Sequence, residues 1–90
     1  MKKLKISQIQ FEAKATPVQN AILLKKYFEK TKKFKPDLIC TPECSNIITN
    51  DKSYLLKNTT YEINCPIIKM AKIYAKENNL NINIGSLLLK

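Results

Sequence analysis

The sequence predicts an α/β fold in which three strands alternate with two helices, and two short segments carry most of this prediction. Residues 38–40 form a continuous apolar run between Pro36 and Pro42, which is typical of a strand buried on both faces of a parallel sheet. Residues 80–84 alternate apolar and polar side chains, as a strand with one buried face does. Helical patterns precede both segments, so we expect the order strand, helix, strand, helix, strand, with right-handed crossovers.

The first strand and the first helix are predicted from the residues before Pro36. Residues 4–11 form an apolar run with β-branched side chains, although its alternation slips phase at residues 7–8. Thr16 favours a helix start, because threonine can cap, the proline after it suits the first helical position and Gln19 completes a capping box. Pro36 should end the helix, since the residue before a proline disfavours the α region. The predicted apolar stripe is Val18, Ala21, Leu24 and Phe28.

A polar stretch and a second helix are predicted between the last two strands. Residues 44–61 are polar and mixed, and Asp51 is placed to cap a short turn within them. A helix is expected to begin near Pro66 and to end at residues 78–79, because asparagine tolerates the left-handed conformation. Gly85 then breaks the third strand. The predicted apolar side of this helix is Ile67, Met70, Ala71 and Tyr74.

Length and charge limit the classes of function. The chain has 90 residues, enough for one small domain or for part of a larger one. Its net charge is +9, and all 16 basic residues are lysines. Base-edge readout relies on the arginine fork, which this sequence lacks, so a nucleic-acid partner is not expected. No signal peptide or membrane-spanning stretch is recognisable, which favours a cytoplasmic protein without a membrane partner.

Three cysteines, Cys40, Cys44 and Cys65, occur in a sequence that contains no histidine. Their odd number, without a secretory signal, argues against a disulfide framework. No histidine is present to activate a thiol nucleophile or to complete a zinc site. We therefore expect inert, buried or half-buried thiols, and neither a metal nor another cofactor.

Glu43 is the candidate catalytic residue. It follows Pro42, which should end the second strand because proline cannot donate to a ladder. Ligands of open α/β sheets bind outside the carboxyl ends of the strands, where a partly buried carboxylate can serve as a general base. From position alone, a solvated loop glutamate is the simpler interpretation.

An ordered set of short motifs resembles the nitrilase superfamily of carbon–nitrogen hydrolases. The set runs from residues 9–11 and Asn20, through Leu-Ile-Cys-Thr-Pro-Glu-Cys at residues 38–44, to Pro66 and residues 75–86. The Pro-Glu-Cys form of the central motif is similar to the omega-amidase-like branches. The resemblance covers nearly the whole chain. One departure is the single glycine after the third strand, where many members have two.

The resemblance implies a four-layer α-β-β-α sandwich, of which residues 1–90 are the N-terminal βαβαβ portion, truncated after the third strand. It also implies a Glu-Lys-Cys triad that hydrolyses a small amide or nitrile, with Glu43 matching the general base. The lysine, which would stabilise the oxyanion, and the nucleophilic cysteine are expected beyond Lys90. The complete protein is then expected to be a homo-oligomer, and the 90-residue chain to be inactive alone.

Two other interpretations remain open. The chain could be a free-standing basic α/β module that binds nucleic acid or an acidic partner without catalysis. It could also be a structural or regulatory remnant that keeps only the start of the fold. The gene sequence after codon 90 distinguishes them, because the enzyme needs a lysine after a later strand and then a cysteine at a strand-to-helix turn.

Overall fold

Three strands and three helices make up the fold in residues 4–14, 16–43 and 46–89, which are the residues that the computed structural model describes. The strands are β1 (Ile6–Gln8), β2 (Leu38–Thr41) and β3 (Asn81–Ile84). The helices are α1 (Pro17–Thr31), α2 (Lys52–Asn58) and α3 (Pro66–Asn78). The α/β class predicted from the sequence is confirmed, and α2 takes the place of the short turn expected after Asp51.

The sheet is parallel, and β2 is its central strand. The strand order is β1-β2-β3, and Ile39 lies opposite Ser7 on one side and Ile82 on the other. Because successive strands are added in one direction and crossovers are right-handed, α1 and α3 lie on the same face of the sheet. The two helices contact each other there, with the ring centroids of Phe28 and Tyr74 5.2 Å apart.

The hydrophobic core lies between this helix pair and the sheet. Leu24, Phe28, Ile39 and Ile67 are fully buried, and each such side chain contributes about 1.5–3 kcal/mol through its removal from water. The opposite face of the sheet is more accessible, since Ile6 is 53% exposed. The prediction that the second strand is buried on both faces is therefore wrong for this chain, because the two helices cover only one face. The half-buried residues of β2 on the other face are Leu38 and Cys40.

The start of α1 differs from the prediction in two respects. Thr16 occupies the N-cap position, but its side chain makes no capping hydrogen bond, so the predicted capping box is wrong. Pro17 lies in the first turn as predicted. Val18 is 57% exposed rather than part of the apolar stripe, and Asn20 is buried instead. The buried face therefore follows the helical spacing 17, 20, 21, 24 and 28, one residue out of register with the predicted start.

The other helices and strands largely begin and end where neighbouring residues in the sequence predict. α1 ends before Pro36, through a 3₁₀ turn and Lys35 in the left-handed conformation, with φ at 49°. Asn79 ends α3 with φ at 51°, as predicted. Asp51 caps α2, since its Oδ1 accepts a hydrogen bond from the backbone N–H of Tyr54 at 3.1 Å. β1 is shorter than the predicted run, since the ladder with β2 ends after Gln8, although the N–H of Ile9 still donates to the carbonyl oxygen of Cys40 at 2.9 Å.

Candidate functional site

Glu43 lies in a turn just after β2, at the carboxyl end of the central strand. Parallel strands bring their carboxyl ends to one edge of the sheet, which is where ligands of open α/β sheets bind. The loops that follow β1, β2 and β3 meet at this edge, which we call the carboxyl rim. The side chain of Glu43 is exposed, so the partial burial that we expected for it is wrong in this chain.

The chain segment just before Glu43 is in close backbone contact with Gly85, the residue that follows β3. A Cβ atom at position 85 would lie 2.6 Å from the carbonyl oxygen of Thr41 and 3.0 Å from the carbonyl group of Pro42. The backbone N–H of Gly85 also donates to the Oγ1 atom of Thr41 at 3.2 Å. Glycine is required here because a side chain would separate the two strand ends.

Asn20, in the first turns of α1, joins two loops of the carboxyl rim. Its side chain is fully buried, and its Oδ1 accepts a hydrogen bond from the backbone N–H of Lys14 at 2.7 Å. Its Nδ2 donates to the carbonyl oxygens of Lys14, at 2.7 Å, and Asn46, at 2.8 Å. Both protons of the amide are therefore used, which offsets the cost of burying it.

Asn46, three residues after Glu43, joins the loop after β2 to the segment after β3. The side chain of Asn46 is 2% exposed. Its Nδ2 donates to the carbonyl oxygen of Leu88 at 2.8 Å, and the N–H of Leu88 donates to its Oδ1 at 3.1 Å. The side-chain amide of Asn46 thus both donates to and accepts from the backbone of Leu88, as the backbone of a paired strand residue would. We refer to Asn20 and Asn46, with these hydrogen bonds, as the asparagine clamp.

Sequence reasoning noted Asn20 only as part of a resemblance and missed Asn46 entirely. A signal for Asn20 does exist, since it falls on the buried side of α1 between Pro17 and Leu24. Asn46 stands in a polar loop among other polar residues and carries no comparable local signal. Its role depends on Leu88, which is 42 residues away in the sequence.

The two thiols in the described part of the chain belong to no recognisable site. Cys65 is buried and Cys40 is half-buried, and both are free, as expected. Cys44 lies outside the described residues. Within residues 4–14, 16–43 and 46–89, no group of three or more histidine, cysteine, aspartate or glutamate residues is arranged to hold a metal ion.

An apolar groove of about 480 Å³ lies along β3 and α3, and Glu43 is not among its lining residues. Ile82 and Ile84 form one wall and Ala71 and Ala75 the other. Lys72 also lines the groove. The candidate carboxylate and this apolar groove are therefore separate features of the surface.

Comparison with protein-family models, with curated proteins and with solved structures finds no match for this chain. Among the helices in the described part of the chain, none is long and apolar enough to cross a membrane.

Proposed function

We propose that the chain is the N-terminal part of a carbon–nitrogen hydrolase of the nitrilase type, in which Glu43 is the general base. The observation that carries this proposal is the location of Glu43, an exposed carboxylate at the carboxyl end of the central strand of a parallel sheet. The ordered motifs of the sequence supply the reaction class. The substrate class is a small amide or nitrile.

In the proposed reaction, Glu43 moves a proton between the nucleophile and the leaving group. As the sulfur of a cysteine beyond Lys90 attacks the amide carbon, the thiol proton passes to the Glu43 carboxylate. The protonated Glu43 then gives that proton to the departing amine, and the acyl group stays on sulfur. Water that attacks the thioester gives up a proton to Glu43, which passes it to the departing cysteine sulfur as the C–S bond breaks and the acid product leaves. A lysine beyond Lys90 stabilises the oxyanion of both tetrahedral states.

The accessible face of the sheet supports the same proposal. Ile6 is 53% exposed, and Leu38 beside it is half-buried, although both are apolar. In a four-layer sandwich this face would pack on a second sheet about 10 Å away. Residues after Lys90 would supply that sheet.

The test measures kcat for the gene product that contains residues 1–90 together with whatever sequence follows them. The substrate is a small ω-amide of the succinamate type. Glu43→Gln keeps the size of the side chain but cannot take up the proton, so kcat should fall by about 10² to 10⁴. The 90-residue chain alone should hydrolyse neither amides nor nitriles.

Matched controls are Glu12→Gln, in the loop after β1, and Glu77→Gln, on α3, because both glutamates are exposed. Each should leave kcat unchanged and shift the free energy of unfolding by no more than about 0.5 kcal/mol. If Glu43→Gln folds normally and keeps nearly full kcat, Glu43 is only a solvated residue at a strand end.

A further inference from the structure

We infer that Asn46 is a positioning residue for Glu43, and that Asn20 holds Asn46 in place. The catalytic consequence rests on the proposed function, whereas the mechanical part concerns the 90-residue chain itself. Neither asparagine is proposed to contact substrate. Both act through the backbone of the loop that carries Glu43.

The loop with Glu43 is fixed on both sides. Two residues before Glu43, Thr41 belongs to β2 and is bound through its hydroxyl to the backbone of Gly85. Three residues after Glu43, Asn46 is bound through its side chain to both backbone groups of Leu88. Because both partners follow β3, the end of β3 acts as a common support for the two sides of the loop.

Asn20 fixes the backbone at position 46, while the Leu88 contacts fix the side chain. The Nδ2 of Asn20 donates to the carbonyl oxygen of Asn46 at 2.8 Å, and this bond is fully buried. Hydrogen bonds in a buried polar network support one another, and a partly satisfied network is costly, so the arrangement has one strongly preferred geometry. The loop after β2 is thereby tied to α1, a rigid element.

Removing the Asn46 side chain would remove both hydrogen bonds to Leu88 and leave position 46 held through its carbonyl oxygen by Asn20. The next described tie beyond position 46 is the backbone hydrogen bond from Ile48 to the carbonyl oxygen of Lys14, at 3.2 Å. Fewer hydrogen bonds on this side of Glu43 give its backbone more conformations. A general base must lie within about 2.6–3.2 Å of the proton that it takes, and a misplacement of about 1 Å can cost about 10²-fold in rate.

The mechanical part is tested by amide hydrogen exchange in the 90-residue chain, measured by NMR. In Asn46→Ala, the amide of Leu88, which donates to Asn46 Oδ1 in the parent chain, should exchange at least about tenfold faster, which corresponds to a loss of about 1.4 kcal/mol in local protection. The backbone amide of Glu43 should show larger motion in ¹⁵N relaxation. The amide of Phe28 in α1 should keep its rate. Asn78→Ala is the matched control, because Asn78 donates one hydrogen bond to Tyr74 at the opposite edge of the sheet.

Asn46→Ala is more informative than Asn20→Ala. Asn20 makes three hydrogen bonds from a fully buried side chain, so its loss should unfold much of a small domain. If the exchange rate of Leu88 and the ¹⁵N relaxation of Glu43 in Asn46→Ala equal those of the Asn78→Ala control, the clamp does not hold the loop and the inference fails.

The catalytic part is tested by kcat and KM of the longer gene product. Asn46→Ala should lower kcat by about 10- to 100-fold and leave KM within about threefold, because the base is misplaced while binding groups are kept. A purely structural role would lower the amount of folded protein but would leave the kcat of the folded molecules unchanged.

Retention of kcat in Asn46→Ala, together with its loss in Glu43→Gln, would overturn the positioning role and leave the proposed function intact. Retention of kcat in Glu43→Gln would overturn both, and the exchange experiment would still decide whether the clamp orders the loop.

Discussion

Substitution of Gly85 by alanine should separate the ends of β2 and β3 next to Glu43. The new Cβ would lie 2.6 Å from the carbonyl oxygen of Thr41, whereas ordinary van der Waals contact begins at 3.4 Å. The obstructing atoms belong to backbone, so they cannot move aside as a flexible side chain would. The strand ends must open, and the hydrogen bond from Gly85 to Thr41 Oγ1 should lengthen or break.

The expected cost follows from three contributions. Overpacking costs about 1–3 kcal/mol, the lost hydrogen bond costs about 1 kcal/mol, and the reduced freedom of the unfolded chain returns about 0.4–1 kcal/mol. Gly85→Ala should therefore lower the free energy of unfolding by roughly 1–3.6 kcal/mol, or Tm by about 4–8 °C for each kcal/mol. Urea unfolding followed by circular dichroism measures this, with Thr41→Val as the control that removes only the hydrogen-bond acceptor. If Gly85→Ala is as stable as the parent chain, the close approach of the two strand ends is wrong.

Two further predictions concern residues far from the carboxyl rim. Lys35→Gly should raise the free energy of unfolding, measured in urea, by about 0.5–1 kcal/mol. Lys35 has φ at 49°, and glycine adopts this conformation without strain. The control is Lys33→Gly, in the 3₁₀ turn before it, which should lower the free energy of unfolding instead. Tyr74→Phe should cost little stability at about pH 7, because the buried hydroxyl has no hydrogen-bond partner among the described residues. Burial, and then the charge of Glu29, raise the pKa of the Tyr74 phenol above its ordinary value of 10.0, so the parent chain should lose stability as pH rises above 10.0. An equal alkaline loss in Tyr74→Phe would show that this phenol does not contribute to it.

The parts of the fold that could be predicted are those determined by local sequence. Pro36 and Pro42 bound the central strand, and Asn79 ends α3 because asparagine tolerates the left-handed conformation. Helix α2 was predicted only as a turn, since it has no buried residues and hence no amphipathic pattern. Its cap, Asp51, was identified because capping depends on a side chain and on an N–H only three residues away.

The site could be predicted only in part, because only some of its features are determined by residues that are neighbours in the sequence. The position of Glu43 follows from the proline before it, which ends β2. Thr16 lies at the N-cap position, but its hydroxyl makes no capping hydrogen bond, so the predicted capping box was wrong. Asn46 could not be found, since its partners are a helix residue and a backbone segment that are distant in the sequence. Local patterns do not determine which distant loops meet.

The distribution of buried polar side chains distinguishes the carboxyl rim from the rest of the fold. In the part of the chain that the structure describes, the four buried polar residues are Asn20, Thr41, Asn46 and Thr59. Three of them lie at the carboxyl rim: Asn46 in the loop after β2, Thr41 at the end of β2 and Asn20 in the first turns of α1. The bridge between Thr60 and Leu89 brings Thr59 beside the segment after β3. A buried polar group left without a partner costs about 1–3 kcal/mol, so apolar side chains would give stability with less demanding geometry. The hydrogen bonds of these polar groups instead fix the loops in one arrangement, which apolar contacts do less strictly. The proposed general base needs such a fixed arrangement. Under the proposed function, this favours the carboxyl rim over the apolar groove along β3 as the location of the site.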